Sequence, residues 1–151
     1  MQGRDIWYIQ NTPFAELMID RMNKKVLLAD YDHAYRNMLM VNLKQMGFDV
    51  FATADPVEAL TLASVNEVDI AVIDCLKEHD DTGFVLAYRL RKLSPLLPVI
   101  LVSSVSSTTG ISFNSESERE RKWLNADVFL NKDISVEGVV KEIFRLLRLK
   151  K

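Results

Sequence analysis

From Lys25 onward, short apolar runs alternate with stretches whose apolar residues recur every three to four positions. Val26-Leu27-Leu28-Ala29 is the first run and ends in Asp30. Tyr35, Leu39, Leu43 and Met46 then fall on one helical face, with Gly47 as the stop. Val50-Phe51-Ala52 reads as the next strand, and Asp55-Pro56-Val57-Glu58 as a capping box with proline at the first helical position. Ile70-Ala71-Val72-Ile73 is a third strand, ending in Asp74. A helix is predicted from about Thr82 to Lys92, a fourth strand over Val99-Ile100-Leu101-Val102 behind Pro98, and a fifth over Val128-Phe129-Leu130. After the cap Ser135, the residues Val136, Val139, Val140, Ile143, Leu146 and Leu147 form one apolar stripe. Strands almost free of polar residues, alternating with amphipathic helices, predict an α/β fold: a parallel sheet covered on both faces and doubly wound.

Residues 1–22 break this rhythm and read as an N-terminal extension, with the main domain over 23–151. Thr12-Pro13 is a plausible cap and first turn for a short amphipathic helix over about 13–22, carrying Phe14, Leu17, Met18 and Met22. Packing on the domain or on a second copy, hence a homodimer, is its expected role, with disorder as the alternative. Ser104 to Ser117 is rich in Ser and Thr and reads as a loop; Glu116 to Trp123 reads as a short charged helix. Trp123 is open to two readings, a core anchor or a contact residue.

Composition narrows the classes of function. At 151 residues with 48% apolar and 26% charged residues, the chain suits a single soluble domain. A net charge of −2 argues against a general nucleic-acid surface, and the basic end at Arg145, Arg148, Lys150 and Lys151 reads as helix-terminus solvation. The single cysteine, Cys75, rules out an intramolecular disulfide and fits a cytoplasmic location. No apolar run reaches the roughly 20 residues that span a bilayer, so no membrane partner is expected. No glycine-rich phosphate loop follows any strand, which argues against nucleotide or flavin binding. Lys151 follows directly on the last helix, which leaves open a stand-alone unit or a piece of a longer protein.

In doubly wound folds the ligand site lies at the carboxyl ends of the strands. That rule selects Asp30, Asp74, Ser103 and Lys132, each just past a predicted strand end. Crowded carboxylates bind a hard divalent cation through oxygen. An aspartate can act as a nucleophile towards phosphorus, a lysine can pair with phosphoryl oxygens, and a serine hydroxyl can hydrogen-bond to them. This is catalysis by positioning and charge, as phosphoryl transfer requires.

Four motifs then resemble one family. Val26-Leu27-Leu28-Ala29-Asp30 resembles the first strand of a response-regulator receiver domain, and Val68-Asp69-Ile70-Ala71-Val72-Ile73-Asp74 its third. Pro98-Val99-Ile100-Leu101-Val102-Ser103-Ser104 resembles the fourth, and Ala126-Asp127-Val128-Phe129-Leu130-Asn131-Lys132 the fifth. The resemblance covers residues 24–149 and rests on order and spacing, since each motif alone is weak. It implies a flavodoxin-like, CheY-like (βα)5 fold with strand order 2-1-3-4-5. It implies Asp74 as phospho-acceptor, Asp30 and Asp74 as magnesium ligands with the Leu76 backbone carbonyl, Ser103 as the switch hydroxyl, Lys132 as phosphate partner and Phe129 as the switch aromatic. The implied partners are a sensor histidine kinase or phosphotransfer protein and a downstream protein met through the fourth helix, fifth strand and fifth helix. The implied chemistry is limited to the domain's own phosphorylation and dephosphorylation, so it is not expected to be an enzyme.

Three departures bear on that chemistry. Where the family has a second acid after the first strand, this chain has Tyr31, a poor magnesium ligand; Asp32 beside it is expected to cap the following helix. The loop Cys75-Leu76-Lys77-Glu78-His79-Asp80-Asp81 lacks the family's proline, and Gly83 comes one residue late. Its His79, Asp80 and Asp81 read as solvated loop residues and Cys75 as a packing residue. Asp133 replaces the proline after Lys132, which predicts a trans peptide bond, a displaced lysine and an Asp133–Lys132 pair that competes with phosphate. The alternative reading is therefore a degenerate receiver that serves as a phosphorylation-independent interaction module.

Overall fold

The computed structural model describes residues 24–74, 82–103 and 126–149. The first unit is β1 (Lys25–Ala29) and α1 (His33–Gln45), followed by β2 (Asp49–Thr53) and α2 (Pro56–Asn66). β3 (Ile70–Asp74) leads to α3 (Thr82–Leu93), then come β4 (Val99–Ser103), β5 (Val128–Asn131) and α4 (Val136–Leu149). The five strands are parallel and ordered β2-β1-β3-β4-β5. The predicted helices at 13–22 and 116–123, the 104–117 loop and the loop after Asp74 lie outside the described residues.

Local chemistry accounts for the boundaries. Asp32 has extended backbone angles and its carboxylate accepts the Tyr35 N–H, which starts α1 as the sequence predicts. At the other end Gly47 has φ of 96°, its N–H donates to Lys44 O, and the Phe48 N–H reaches back to Leu43 O. These two bonds form a Schellman motif, closed by contact of Phe48 with the core that contains Leu43. α2 starts as expected at Asp55 and Pro56, but only half of the capping box forms. The Asp55 side chain accepts the Val57 N–H, while the Asp55 N–H donates to Thr53 Oγ1 in place of the Glu58 carboxylate.

Two apolar layers sandwich the sheet. On one face Val26, Leu28, Val72, Ile100 and Val102 pack with Leu39 and Leu43 of α1 and with the Val139, Val140, Ile143, Leu146 and Leu147 stripe of α4. On the other, Leu27, Ala71, Ile73 and Leu101 pack with Ala59 of α2 and with Leu86, Ala87 and Leu90 of α3. Alternate residues of each strand supply opposite faces, which is why the runs carry no polar position. Each fully buried Leu or Ile contributes about 1.5–3 kcal/mol of hydrophobic stabilisation before chain entropy is counted.

At the amino edge of the sheet two aspartates lock strand neighbours together. Asp69, just before β3, accepts the Lys25 N–H of β1 at 2.8 Å. Asp127, just before β5, accepts the Val99 N–H of β4 at 2.8 Å and pairs with Arg91 of α3. The carboxyl edge is left to the groups identified from sequence.

Candidate functional site

Asp30 follows β1 and is buried, 3% exposed. Its N–H donates to Thr53 O, tying it to the end of β2, and its Oδ1 accepts the Asp32 N–H at 2.8 Å. Asp74 is the last residue of β3, and its side chain is also buried. Lys132 follows β5, and its N–H donates to Ser103 O at 2.9 Å. From there its Nζ reaches Asp30 Oδ1 at 3.1 Å and Asp74 Oδ2 at 3.4 Å. The sheet therefore brings Asp30, Asp74 and Lys132 to one point.

The peptide bond from Lys132 to Asp133 is trans, as expected. The backbone bond to Ser103 fixes Lys132 on the sheet, and its long stem carries the ammonium between the two carboxylates. The predicted Asp133–Lys132 pair is not formed: Asp133 is exposed, its N–H donates to Asn131 Oδ1, and the lysine pairs instead with the buried acids.

Ser103 ends β4, is fully buried and lies opposite Asn131 of β5. Phe129 is half-buried on the α3 side of the sheet, its ring centroid 6.2 Å from that of Phe84. Tyr31 is 63% exposed, so the position where a second acid would stand carries a phenol at the rim. A pocket of about 320 Å³ opens beside Asp30 and Asp74. Tyr31, Pro56, Thr82 and Gly83 are among its lining residues. At roughly 30 Å³ per water, it has room for a phosphoryl group and its hydration. Leu76 lies outside the described residues, as do Cys75 and His79.

The electrostatics of the site are strained. Burial, and then the charge of Asp74, push the Asp30 carboxyl up to about 6; the Asp32 N–H and Lys132 oppose the rise without cancelling it. Two carboxylates and one ammonium carry a net negative charge among themselves when all are ionised. A hard cation would relieve it, and two carboxylates with waters are a usual donor set for magnesium. The described residues contain no group of three acidic, His or Cys side chains arranged for a metal, so the residues present fit such an ion with fewer charges than three acids would give.

Two residues near the site escaped the sequence reading. Tyr35 of α1 reads as a core position by its spacing, and it does pack against the core. Its ring also lies against the lysine, with Lys132 Nζ 4.8 Å from the centroid. Burial first, then Asp30 and Asp74, push its phenol up to about 12. Arg36, the next residue, donates from Nη1 to Asp30 O at 2.7 Å and braces the first strand end. No spacing rule would have separated these residues from an ordinary helix.

Comparison with known proteins agrees with this geometry. The family model for the response regulator receiver domain matches residues 26–144. The alkaline phosphatase synthesis transcriptional regulatory protein PhoP of Bacillus subtilis is 27% identical over 127 residues, covering 84% of this chain and 50% of that protein. The sensor histidine kinase RcsC of Escherichia coli is 28% identical over 129 residues, 84% of this chain but 12% of the kinase. The chain thus spans about half or less of the length of these curated relatives. Among solved structures, the receiver domain of the Francisella response regulator 1452 superposes with a TM-score of 0.69 at 29% identity, covering 85% of this chain and all of that one. The CheY-like receiver domain protein of Methanospirillum hungatei superposes with a TM-score of 0.70 at 22% identity, covering 85% of this chain and 96% of that one, a likeness of fold. By the match of its sequence and by its fold, the chain belongs to the response regulator receiver domain family.

Proposed function

We propose that this receiver domain accepts a phosphoryl group on Asp74 from a sensor histidine kinase or phosphotransfer protein. The observation that carries the reading is the convergence of Asp30, Asp74 and Lys132 within ion-pair distance beside an open pocket. A carboxylate oxygen of Asp74 attacks phosphorus, the bond from phosphorus to the donor imidazole breaks, and the imidazole keeps the electron pair and takes up a proton. The product is an acyl phosphate. Asp30 and Asp74, with the Leu76 carbonyl, would hold magnesium, which when bound neutralises phosphoryl charge. Lys132 exchanges part of its pairing with Asp74 for a phosphoryl oxygen. The Ser103 hydroxyl donates to another oxygen, and Phe129 reports the change to a downstream protein through β5 and α4.

The degenerate reading draws on Tyr31, which removes one acid from the site. Acetyl phosphate with magnesium separates the two. The wild-type protein should gain one phosphoryl group by intact-mass measurement and Asp74→Asn none. Identical spectra for the two proteins would remove the phospho-acceptor reading and leave the interaction module.

A further inference from the structure

Lys132 is anchored through its backbone, but its ammonium ends a flexible four-carbon stem, and Asp133 gives the chain none of the stiffness of a proline. Asp30 Oδ1 and Asp74 Oδ2 draw the ammonium from one direction. The Tyr35 ring meets it as well, with the centroid 4.8 Å away. This ring is placed from the backbone outward: the Asp32 cap takes the Tyr35 N–H, and the ring packs half-buried against the core. Its hydroxyl is buried and has no hydrogen-bond partner among the described residues. A buried hydroxyl without a partner is unfavourable, so the hydroxyl is not what holds the phenol here. What the side chain offers the site is its face, and an aromatic face attracts an ammonium most strongly where water is scarce.

We propose that Tyr35 is a positioning residue for Lys132, its ring face holding the ammonium beside the two carboxylates and so presetting it for an oxygen of a group on Asp74. The consequence for a phosphoryl group rests on the acceptor role of Asp74; the ring–ammonium contact does not. The ring takes over a restraint that the Lys132–Asp133 sequence lacks. It also leaves the lysine mobile enough to move from Asp74 to an incoming oxygen, because the contact has no fixed hydrogen-bond direction.

Tyr35→Phe and Tyr35→Leu in the full chain separate face from hydroxyl and from bulk. In the metal-free protein, proton NMR reads the ring-current shift of the Lys132 ε-methylene. It is expected to be upfield in the wild type and in Tyr35→Phe, and to collapse in Tyr35→Leu. With magnesium, beryllofluoride affinity should be similar in wild type and Tyr35→Phe and about fivefold weaker in Tyr35→Leu. An unchanged Lys132 shift in Tyr35→Leu overturns the proposal, and so does equal impairment of Phe and Leu in both measurements. Failure of all three proteins to bind beryllofluoride, with the ring-current pattern as expected, removes the acceptor reading and leaves the positioning of Lys132 standing.

Discussion

The two edges of the sheet each hold a pair of aspartates, and they use them in opposite ways. At the amino edge Asp69 and Asp127 are half-buried and accept backbone N–H groups of neighbouring strands. Each negative charge there has a donor aimed at it, and Asp127 has Arg91 besides. At the carboxyl edge Asp30 and Asp74 are buried close together, share one lysine, and leave Asp30 pushed up to about 6. The same side chain acts as a structural clamp where it is half-buried and bonded to aimed donors, and carries unfavourable charge where it is crowded and desolvated. A pocket beside Asp30 and Asp74 opens at this second edge.

This contrast predicts opposite signs for removing an acid from the two edges. Asp127→Ala strips the Val99 N–H of its acceptor and leaves Arg91 unpaired; unfolding in urea should show a loss of about 2–3 kcal/mol. A loss under 0.5 kcal/mol would remove the clamp from the comparison. Asp30 should behave the other way. Its folded pKa lies above the unfolded value of 3.8, so its contribution to stability is fully present below pH 3.8 and is lost as pH rises through about 6. For the metal-free protein the loss is on the order of 2–3 kcal/mol across that window. Asp30→Asn should flatten the pH dependence there and raise stability at neutral pH. A variant that tracks the wild type across the window would break the comparison.

A smaller effect concerns the rim. Tyr31→Asp adds a charge beside Asp30 and should tighten magnesium binding by roughly tenfold or more, at the expense of metal-free stability. Calorimetry that finds equal affinity would place position 31 outside the metal site. The smallest effect tests the clamp edge alone. Glu67 ends α2 at φ of 52°, a left-handed conformation that glycine adopts without strain. Glu67→Gly should stabilise the fold by roughly 0.5–1 kcal/mol and leave the carboxyl edge unchanged, as read by the denaturation midpoint and by magnesium affinity.

Much of this was legible in the sequence, for identifiable reasons. Parallel strands buried on both faces leave unbroken apolar runs, so the order of elements could be read directly. The strand-end rule then selected Asp30, Asp74, Ser103 and Lys132 without any coordinates. Contacts decided by direction in space were not legible. Tyr35 sits at core spacing, and nothing in one dimension says that its ring meets the Lys132 ammonium. The missing proline after Lys132 says nothing of the hydrogen bond to Ser103 O, which depends on the β4–β5 register and seats the lysine from which both acids are reached. Glu58 fits a capping box by spacing, yet the Asp55 N–H donates to Thr53 Oγ1. Asp69 and Asp127 entered only as letters of strand motifs, because clamping a neighbouring strand requires knowing which strand is the neighbour.

A divalent cation held by Asp30 and Asp74, as proposed, would relieve the charge at the carboxyl edge. The direct measurement is the thermal midpoint of the wild type, Asp30→Asn and Asp127→Ala at neutral pH, with and without magnesium. Magnesium should raise the midpoint of the wild type and of Asp127→Ala and leave Asp30→Asn nearly unmoved. A wild type indifferent to magnesium, or an Asp30→Asn variant that gains as much as the wild type, would contradict it.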